Sequence, residues 1–306
     1  MDRLKAIETF VTVAELGSFR RAAARLRLSP AMATTYVNRL EAELGVRLIA
    51  RTTRRLDLTE RGLAFLADAR RILDLVRAAE MSARTGEKRP AGRVSIDAPA
   101  SLGTLYIVPS LARLRAAYPD IVVDLTLGDR GTVFRADGFD ILVRVGEAPL
   151  SDRVSVTVGA TRFVLVAAPD YLARRGCPHR LEAVLDHDCI LYSSTDAPGG
   201  NPWRFIEDGV PRMVRAPATL TFNDGHAISD AAIAGLGIAQ TLEMLVREPI
   251  ADGRLVRLLE HQCTATTPIV LTCMRDRYEL PAVRAVMDHL AREIDWGLGS
   301  SPVRSG

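Results

Sequence analysis

"GSFRRAAARLRLSPAMATTYVNRLEAELG", residues 17–45, holds two helix starts, Ser18 and Ser29, either side of a short turn. Ser18 caps "FRRAAARLR", whose Ala22, Ala23 and Leu26 are small enough for close packing, and Leu28 closes the turn. Ser29 caps the next helix, where Pro30 at the first position costs nothing because that N–H would be unpaired anyway. Ala33, Val37, Leu40 and Leu44 recur at helical spacing, which buries one face, and Gly45 ends the helix. Two helices joined this tightly are a helix-turn-helix pattern. The opposite face shows Ala31, Thr34, Thr35 and Asn38, with no charge before Arg39. Solvated helix faces are rich in Glu and Lys, so this face is expected to meet something other than water.

Reading outward, residues 3–16 form a helix through Leu4, Ile7, Val11 and Ala14, stopped by Gly17. After the third helix, "VRLIARTTRRLDLT" (46–59) reads as a β-wing, with Arg51, Arg54 and Arg55 around a Thr-Thr tip. Thr59 caps a long helix to about Arg84 that carries Leu63, Leu66, Ile72, Leu73, Val76 and Ala79. No other N-terminal element is evident to cover that apolar stripe, so pairing with a second chain is expected. "TGEKRPAG" (85–92) is a linker. Residues 1–90 hold 18 Lys and Arg against 11 Asp and Glu, whereas the remainder holds 22 against 26. A basic first third on a mildly acidic body points the first third at a polyanion.

The 306 residues suggest two domains at about 150 residues each. No apolar run of about 18 or more residues predicts a membrane span. Asp2 and Glu8 stand where a signal peptide would be apolar, so a cytoplasmic location is expected. Four scattered cysteines (Cys177, Cys189, Cys263 and Cys273) fit a reducing compartment.

From Arg93 the pattern changes. "RVSIDA" reads as a strand, "TLYIVPSLARLRAAY" as a helix, "IVVDLTL" as a strand, "GTVFRADG" as a short helix and "DILVRVG" as a strand. This alternation predicts an open, largely parallel sheet. "RFVLVAA" and "PIVLTCM" are further strands, and "DCILYSS", "PATLTF" and the helix after "NDGH" lie between them. That intervening part predicts a second α/β lobe inserted into the first, with two crossover strands and a cleft.

With these elements in place, the chain resembles a LysR-type transcriptional regulator over essentially its whole length. The likeness rests on Gly17-Ser18-Phe19, Ala22-Ala23, Leu26, Ser29, Leu40-Glu41, Leu44-Gly45, Leu48, Arg51, Arg54, Leu58-Thr59 and Gly62. In the body it rests on "DGFDILVRVG", "AAPDYLARRG", "FNDG" and "AAIAGLGIA". The resemblance implies an α/β protein with a winged helix-turn-helix DNA-binding domain (1–60) and a dimerising linker helix and hinge (61–92). A two-lobed effector-binding domain (93–306), similar to periplasmic binding proteins, would follow, with lobe I at about 93–163 and 268–295 and lobe II at about 164–267. It also implies a homodimer or homotetramer on promoter or operator DNA with broken dyad symmetry, contact with RNA polymerase, and no cofactor.

On this reading the third helix enters the major groove, with Thr34, Thr35 and Asn38 at base edges and Ala31 against a thymine methyl. Arg51, Arg54 and Arg55 reach phosphates or a narrow minor groove, and Ser29 or Thr53 donates to phosphate. The family commonly has Ser-Arg-Gln where this chain has Thr34-Thr35-Tyr36, and Phe where it has Ile49. Losing that Arg removes a guanine-reading group, so the recognised sequence should differ from that of typical members.

The resemblance puts a small-molecule effector in the cleft, where strand ends and helix N-termini favour ligands and anions. Candidates are Pro99, Ser101, Leu102, Arg144 and Gly146 from one lobe and Asn223 and His226 from the other, with Arg130 weaker. Bland roles stand beside these: Ser101, Asn223 or Asp224 can be helix caps, His226 a solvated side chain, and Arg144 a salt-bridge partner of Asp140 or Glu147. An anionic or carboxylate-bearing effector is expected, with an aromatic or polar neutral one as the alternative. "CPHRLEAVLDHDC" (177–189) hints at zinc or a disulfide, but its inner spacing is short and no positive cluster activates its thiols. Two rival classes fit the sequence less well. An enzyme is disfavoured by the absence of G-x-S-x-G, H-E-x-x-H or P-loop patterns. A transporter's solute-binding protein is disfavoured by the basic helix-turn-helix.

Overall fold

The structure, a computed structural model, describes residues 2–51, 56–85, 89–128, 139–146, 153–194, 199–262, 266–297 and 303–305. The chain divides into two compact units, one made almost wholly of residues 1–93 and the other of the rest.

In the first unit, α1 (Arg3–Leu16) starts at Asp2, whose side chain accepts the Lys5 N–H, and ends at Gly17 in the left-handed region. Ser18 and Ser29 cap α2 (Phe19–Leu26) and α3 (Pro30–Leu44) as expected, accepting from Arg21 N and Met32 N. The tight turn between them is made by Arg27, a non-glycine residue at φ 55°, whose N–H bonds the carbonyls of Ala23 and Ala24. β1 (Ile49–Arg51) pairs antiparallel with β2 (Leu56–Leu58) to form the wing. Its tip, with Thr53, Arg54 and Arg55, lies outside the described residues. Thr59 caps α4 (Glu60–Thr85), its hydroxyl accepting the Gly62 N–H at 2.9 Å.

Phe10, Ala22, Val37, Leu40 and Leu48 form the core of this unit, together with Leu66, Ala69 and Leu73 of α4. That corrects one expectation. The first half of α4 is covered within the chain, with Phe65 5.5 Å from Phe10 of α1. Leu66, Ala69 and Leu73 share the face turned to α1, whereas Ile72 lies beside that face and Leu75 on the far side, and both stay exposed. Of the six stripe residues, Leu66 and Leu73 are therefore core.

The second unit runs β3 (Gly92–Ala98), α5 (Ala100–Leu102), a π turn at Gly103–Ile107, α6 (Val108–Ala117), β4 (Ile121–Leu127), β5 (Ile141–Val145) and β6 (Arg153–Thr161). It continues with β7 (Phe163–Ala167), α7 (Pro169–Arg175), α8 (Leu181–Val184), β8 (Cys189–Tyr192), the hairpin β9 (Trp203–Glu207) and β10 (Val210–Val214), β11 (Ala218–Phe222) and α9 (Gly225–Ile233). Then come β12 (Ile238–Leu242), α10 (Glu243–Ala251), β13 (Val256–Leu258), β14 (Thr267–Met274), α11 (Arg275–Tyr278), α12 (Pro281–Arg292) and β15 (Val303–Ser305). Two sheets define two lobes, ordered β15-β6-β14-β5-β3-β4 and β11-β8-β12-β7-β13. The chain leaves the first sheet between β6 and β7 and returns between β13 and β14, giving the two crossovers expected.

Both sheets are mixed, not largely parallel. β3 and β5 are parallel, as are β11, β8 and β12, but β14 runs antiparallel to β5 and β6, and β7 antiparallel to β12. A strand arriving from the other lobe enters its sheet from the end at which the local parallel strands leave, so crossover strands are antiparallel by geometry. The short helix expected at 131–138 lies outside the described residues.

α12 and α6 meet at His289, which is 7% exposed with Nε2 3.2 Å from the Ser110 carbonyl. Burial holds its pKa below 6.5, against the opposing effect of that bond. The folded state thus prefers the neutral ring, and its contribution to stability is complete above pH 6.5 and shrinks as pH falls through the folded pKa. Urea unfolding of the wild type is expected to weaken more steeply than that of His289→Leu below pH 6.5, by up to about 1.4 kcal/mol per pH unit. Equal slopes would contradict this.

Candidate functional site

α3 projects from a frame that fixes its position. Its buried side, Ala33, Val37, Leu40 and Glu41, packs on α1 and α2. Glu41 is 6% exposed, and its Oε1 accepts from the N–H groups of Leu48 and Ile49 at 2.7 and 3.0 Å, pinning the end of α3 to the root of the wing. Two charge-assisted hydrogen bonds to a buried carboxylate make that junction stiff.

The outer side carries the predicted residues together. Ala31, Thr35 and Asn38 are exposed, Thr34 is half-buried, and Ser29 lies exposed at the cap. The Thr34 hydroxyl donates to the Pro30 carbonyl at 3.0 Å and the Thr35 hydroxyl to the Ala31 carbonyl at 2.9 Å. Arg51 ends β1 at the wing. Two features escaped the sequence reading. Met32, three residues before Thr35, is 46% exposed, against the usual expectation that an apolar helix residue belongs to the core. Arg20, Arg21 and Arg25 make the outer side of α2 basic, a signal visible in "FRRAAARLR" itself.

In the second unit the first helical segments of the two lobes meet. α5, after β3, packs on α9, after β11. Ser101 and Leu102 are buried and Pro99 is half-buried at its start. Asp224, not Asn223, is the cap of α9, accepting the Ala227 N–H at 2.9 Å, which leaves Asn223 exposed. A Cβ on Gly225 would stand 4.0 Å from the Ser101 Cβ. The π turn presents Thr104 to the other lobe, its Oγ1 3.2 Å from His226 Nε2. Pro99, Ser101 and Leu102 are thus brought close to Asn223 and His226, and a hydrogen bond already links the lobes there. π turns inside helices are frequent at functional positions.

Arg144 is differently employed. Its Nη2 lies 2.5 Å from Asp97 Oδ2, and its Nη1 donates to the carbonyls of Val143 and Asp97 at 2.7 and 3.3 Å. Asp97 is 2% exposed and its Oδ1 has no partner among the described residues. The salt bridge expected with Asp140 or Glu147 forms instead across the β3–β5 pair. Asp140 accepts from Ser95, N–H and hydroxyl both, while Glu147 lies outside the described residues. Gly146 ends β5 with its N–H on the Pro268 carbonyl at 2.8 Å. Arg130 also lies outside the described residues.

The crossover carries a charged clamp that sequence alone did not single out. Arg162, between β6 and β7, donates from Nε and Nη2 to Glu243 at 2.8 and 2.7 Å, and Arg257 of β13 donates to the same carboxylate at 2.5 Å. The bonds from Arg162, more than its burial opposes, hold the Glu243 carboxyl below the ordinary range. A shallow surface hollow beside it, with essentially no room for a bound molecule, is lined by Tyr106, Thr161, Met244, Arg247 and Trp296 among others, and by none of the predicted effector residues. Cys189 is buried, its thiol pushed up to about 12 by burial, whereas Cys177 is exposed. Among the described residues no helix is long and apolar enough to cross a membrane.

Comparison with known proteins bears on both units. Residues 4–63 match the model of the bacterial regulatory helix-turn-helix protein, lysR family, and residues 87–295 match the LysR substrate binding domain. A putative transcriptional regulator of Pseudomonas aeruginosa is 34% identical over 290 residues, covering 94% of each chain. The HTH-type transcriptional regulator CrgA of Neisseria meningitidis serogroup B is 31% identical over 290 residues, 94% of this chain and 96% of that protein. The solved structure of CrgA superposes with a TM-score of 0.60 at 30% identity, covering 94% of this chain and 98% of that one. ArgP from Mycobacterium tuberculosis, at 21% identity and a TM-score of 0.68, covers 95% of this chain and 96% of its own, a likeness of fold alone. With a helix-turn-helix whose second helix carries an uncharged outer face and a two-lobed sensor domain following it in sequence, the chain belongs to the LysR family of transcriptional regulators, which bind DNA, respond to a small-molecule effector, form oligomers and are not enzymes.

Proposed function

We propose that this regulator acts in the cytoplasm as a homodimer or homotetramer on an operator beside its target genes, with α3 in the major groove. The observation that carries this is the face of α3 itself, capped, rigidly seated and uncharged from Ala31 to Asn38. Thr34, Thr35, Asn38 and Ala31 meet base edges. Arg51, Arg54 and Arg55 of the wing, with Ser29 and Thr53, meet phosphates or the minor groove. Ile72 and Leu75, exposed on α4, are the seam for a second copy, and RNA polymerase is the downstream partner.

The effector, a small anion, is held between Pro99, Ser101 and Leu102 on one lobe and Asn223 and His226 on the other, close to the N-terminus of α9. Arg144 braces the wall through Asp97. The Thr104–His226 bond is the contact a bound effector replaces, and the resulting change in lobe angle shifts the population of oligomer conformations.

Base and phosphate contacts separate by mutation. Thr35→Ala is expected to change base preference, and Arg54→Ala to weaken all duplexes alike and lower the salt slope by about one. Competition titrations on specific and random duplexes check this division. Equal losses on both duplexes for both variants would refute it.

A further inference from the structure

We infer that α3 reads thymine through its C5-methyl group, with Met32 supplying the largest apolar contact. This rests on the placement of α3 in the major groove proposed above. A threonine hydroxyl has one hydrogen, and in both Thr34 and Thr35 it is given to the carbonyl four residues back. What remains to face a base is an acceptor oxygen and a γ-methyl. Ala31 and Met32 add only carbon, hydrogen and a thioether to the exposed first turn, where Met32, three residues before Thr35 and 46% exposed, flanks it.

Guanine shows two acceptors in the major groove and asks for donors, which these four side chains lack. Cytosine and adenine offer an amino group that a threonine oxygen can accept, but only thymine adds a methyl group that an apolar surface can remove from water. Of the other donors on this helix, Tyr36 packs against the core, and Asn38 and Arg39 stand one turn further along. Methionine suits the task because its unbranched thioether adapts to an irregular partner. Ala31, Thr34 and Thr35 thus make a methyl-reading face at the start of the recognition helix, and Met32 widens it on the Thr35 side.

The test uses the full-length protein and synthetic DNA. Duplexes are selected from a random pool, and the preferred one is remade with deoxyuridine in place of thymidine at one position at a time, which deletes one methyl group and nothing else. At least two thymines are expected to lose about fourfold in affinity each, the worth of one buried methyl. Met32→Ala should abolish the deoxyuridine penalty at one of them, and Thr35→Ser, which keeps the hydroxyl and removes the γ-methyl, at another. Preferred binding with every deoxyuridine duplex within about twofold of the parent would overturn the inference and leave the regulator reading intact. No preference for any selected duplex over random DNA would overturn both.

Discussion

Gly62→Ala is expected to destabilise the N-terminal unit by about 3 kcal/mol or more and to abolish DNA binding. Gly62 lies in the first turn of α4, where a Cβ would stand 1.9 Å from the Leu48 carbonyl oxygen and 2.8 Å from its carbon. Neither atom is the end of a flexible side chain. Leu48 is moreover fixed from both sides, its N–H on Glu41 and its carbonyl accepting from Thr59 N at 3.0 Å. The helix must therefore lift from the wing, and the wing loses its register with α3. Differential scanning calorimetry of the full chain should show the N-terminal transition lowered and the C-terminal one unmoved. Gly17→Ala is the control: φ is 61° there, but nothing lies within 4 Å of an added Cβ, so about 1 kcal/mol is expected. Equal melting of Gly62→Ala and wild type would contradict the packing described.

The second large effect lies in the other unit. Arg144→Ala is expected to cost about 3–5 kcal/mol, because it strands a buried carboxylate. Asp97 is 2% exposed and already has one unpartnered oxygen, so the Arg144 guanidinium is what makes its charge tolerable. The double variant Asp97→Ala, Arg144→Ala should be more stable than Arg144→Ala alone, since removing both partners leaves no bare charge. Thermal and urea unfolding measure all three. A stable Arg144→Ala protein that had lost only its effector response would instead make Arg144 a ligand of the effector.

Local chemistry explains why some elements could be read ahead and others not. Ser18, Ser29 and Thr59 declared three helix starts because a capping side chain acts within three residues of itself, and the structure has all three bonds. Arg27 in the left-handed turn gave no such signal, since the position favours glycine and a packed turn overrode the preference. The stripe on α4 was visible, but its division into a face on α1 and an exposed face depends on how far the helix is rotated. Strand direction likewise depends on which lobe a strand comes from, so the mixed sheets needed the fold. At the cleft, residue types marked Ser101 and His226, whereas Arg144 and Asp97, nearly fifty positions apart, declare their pairing only once β3 and β5 are side by side. Arg162, Glu243 and Arg257 were hidden for the same reason.

The central claim, a regulator that grips DNA through α3 and a basic wing, is tested most directly by titrating the full-length protein on the intergenic DNA beside its own gene at two salt concentrations. The account predicts tight binding that prefers this duplex over random DNA and falls by about a thousandfold between roughly 50 and 200 mM salt, as for six or more phosphate contacts per oligomer. Absence of any salt-sensitive binding, even at the lower concentration, would contradict it.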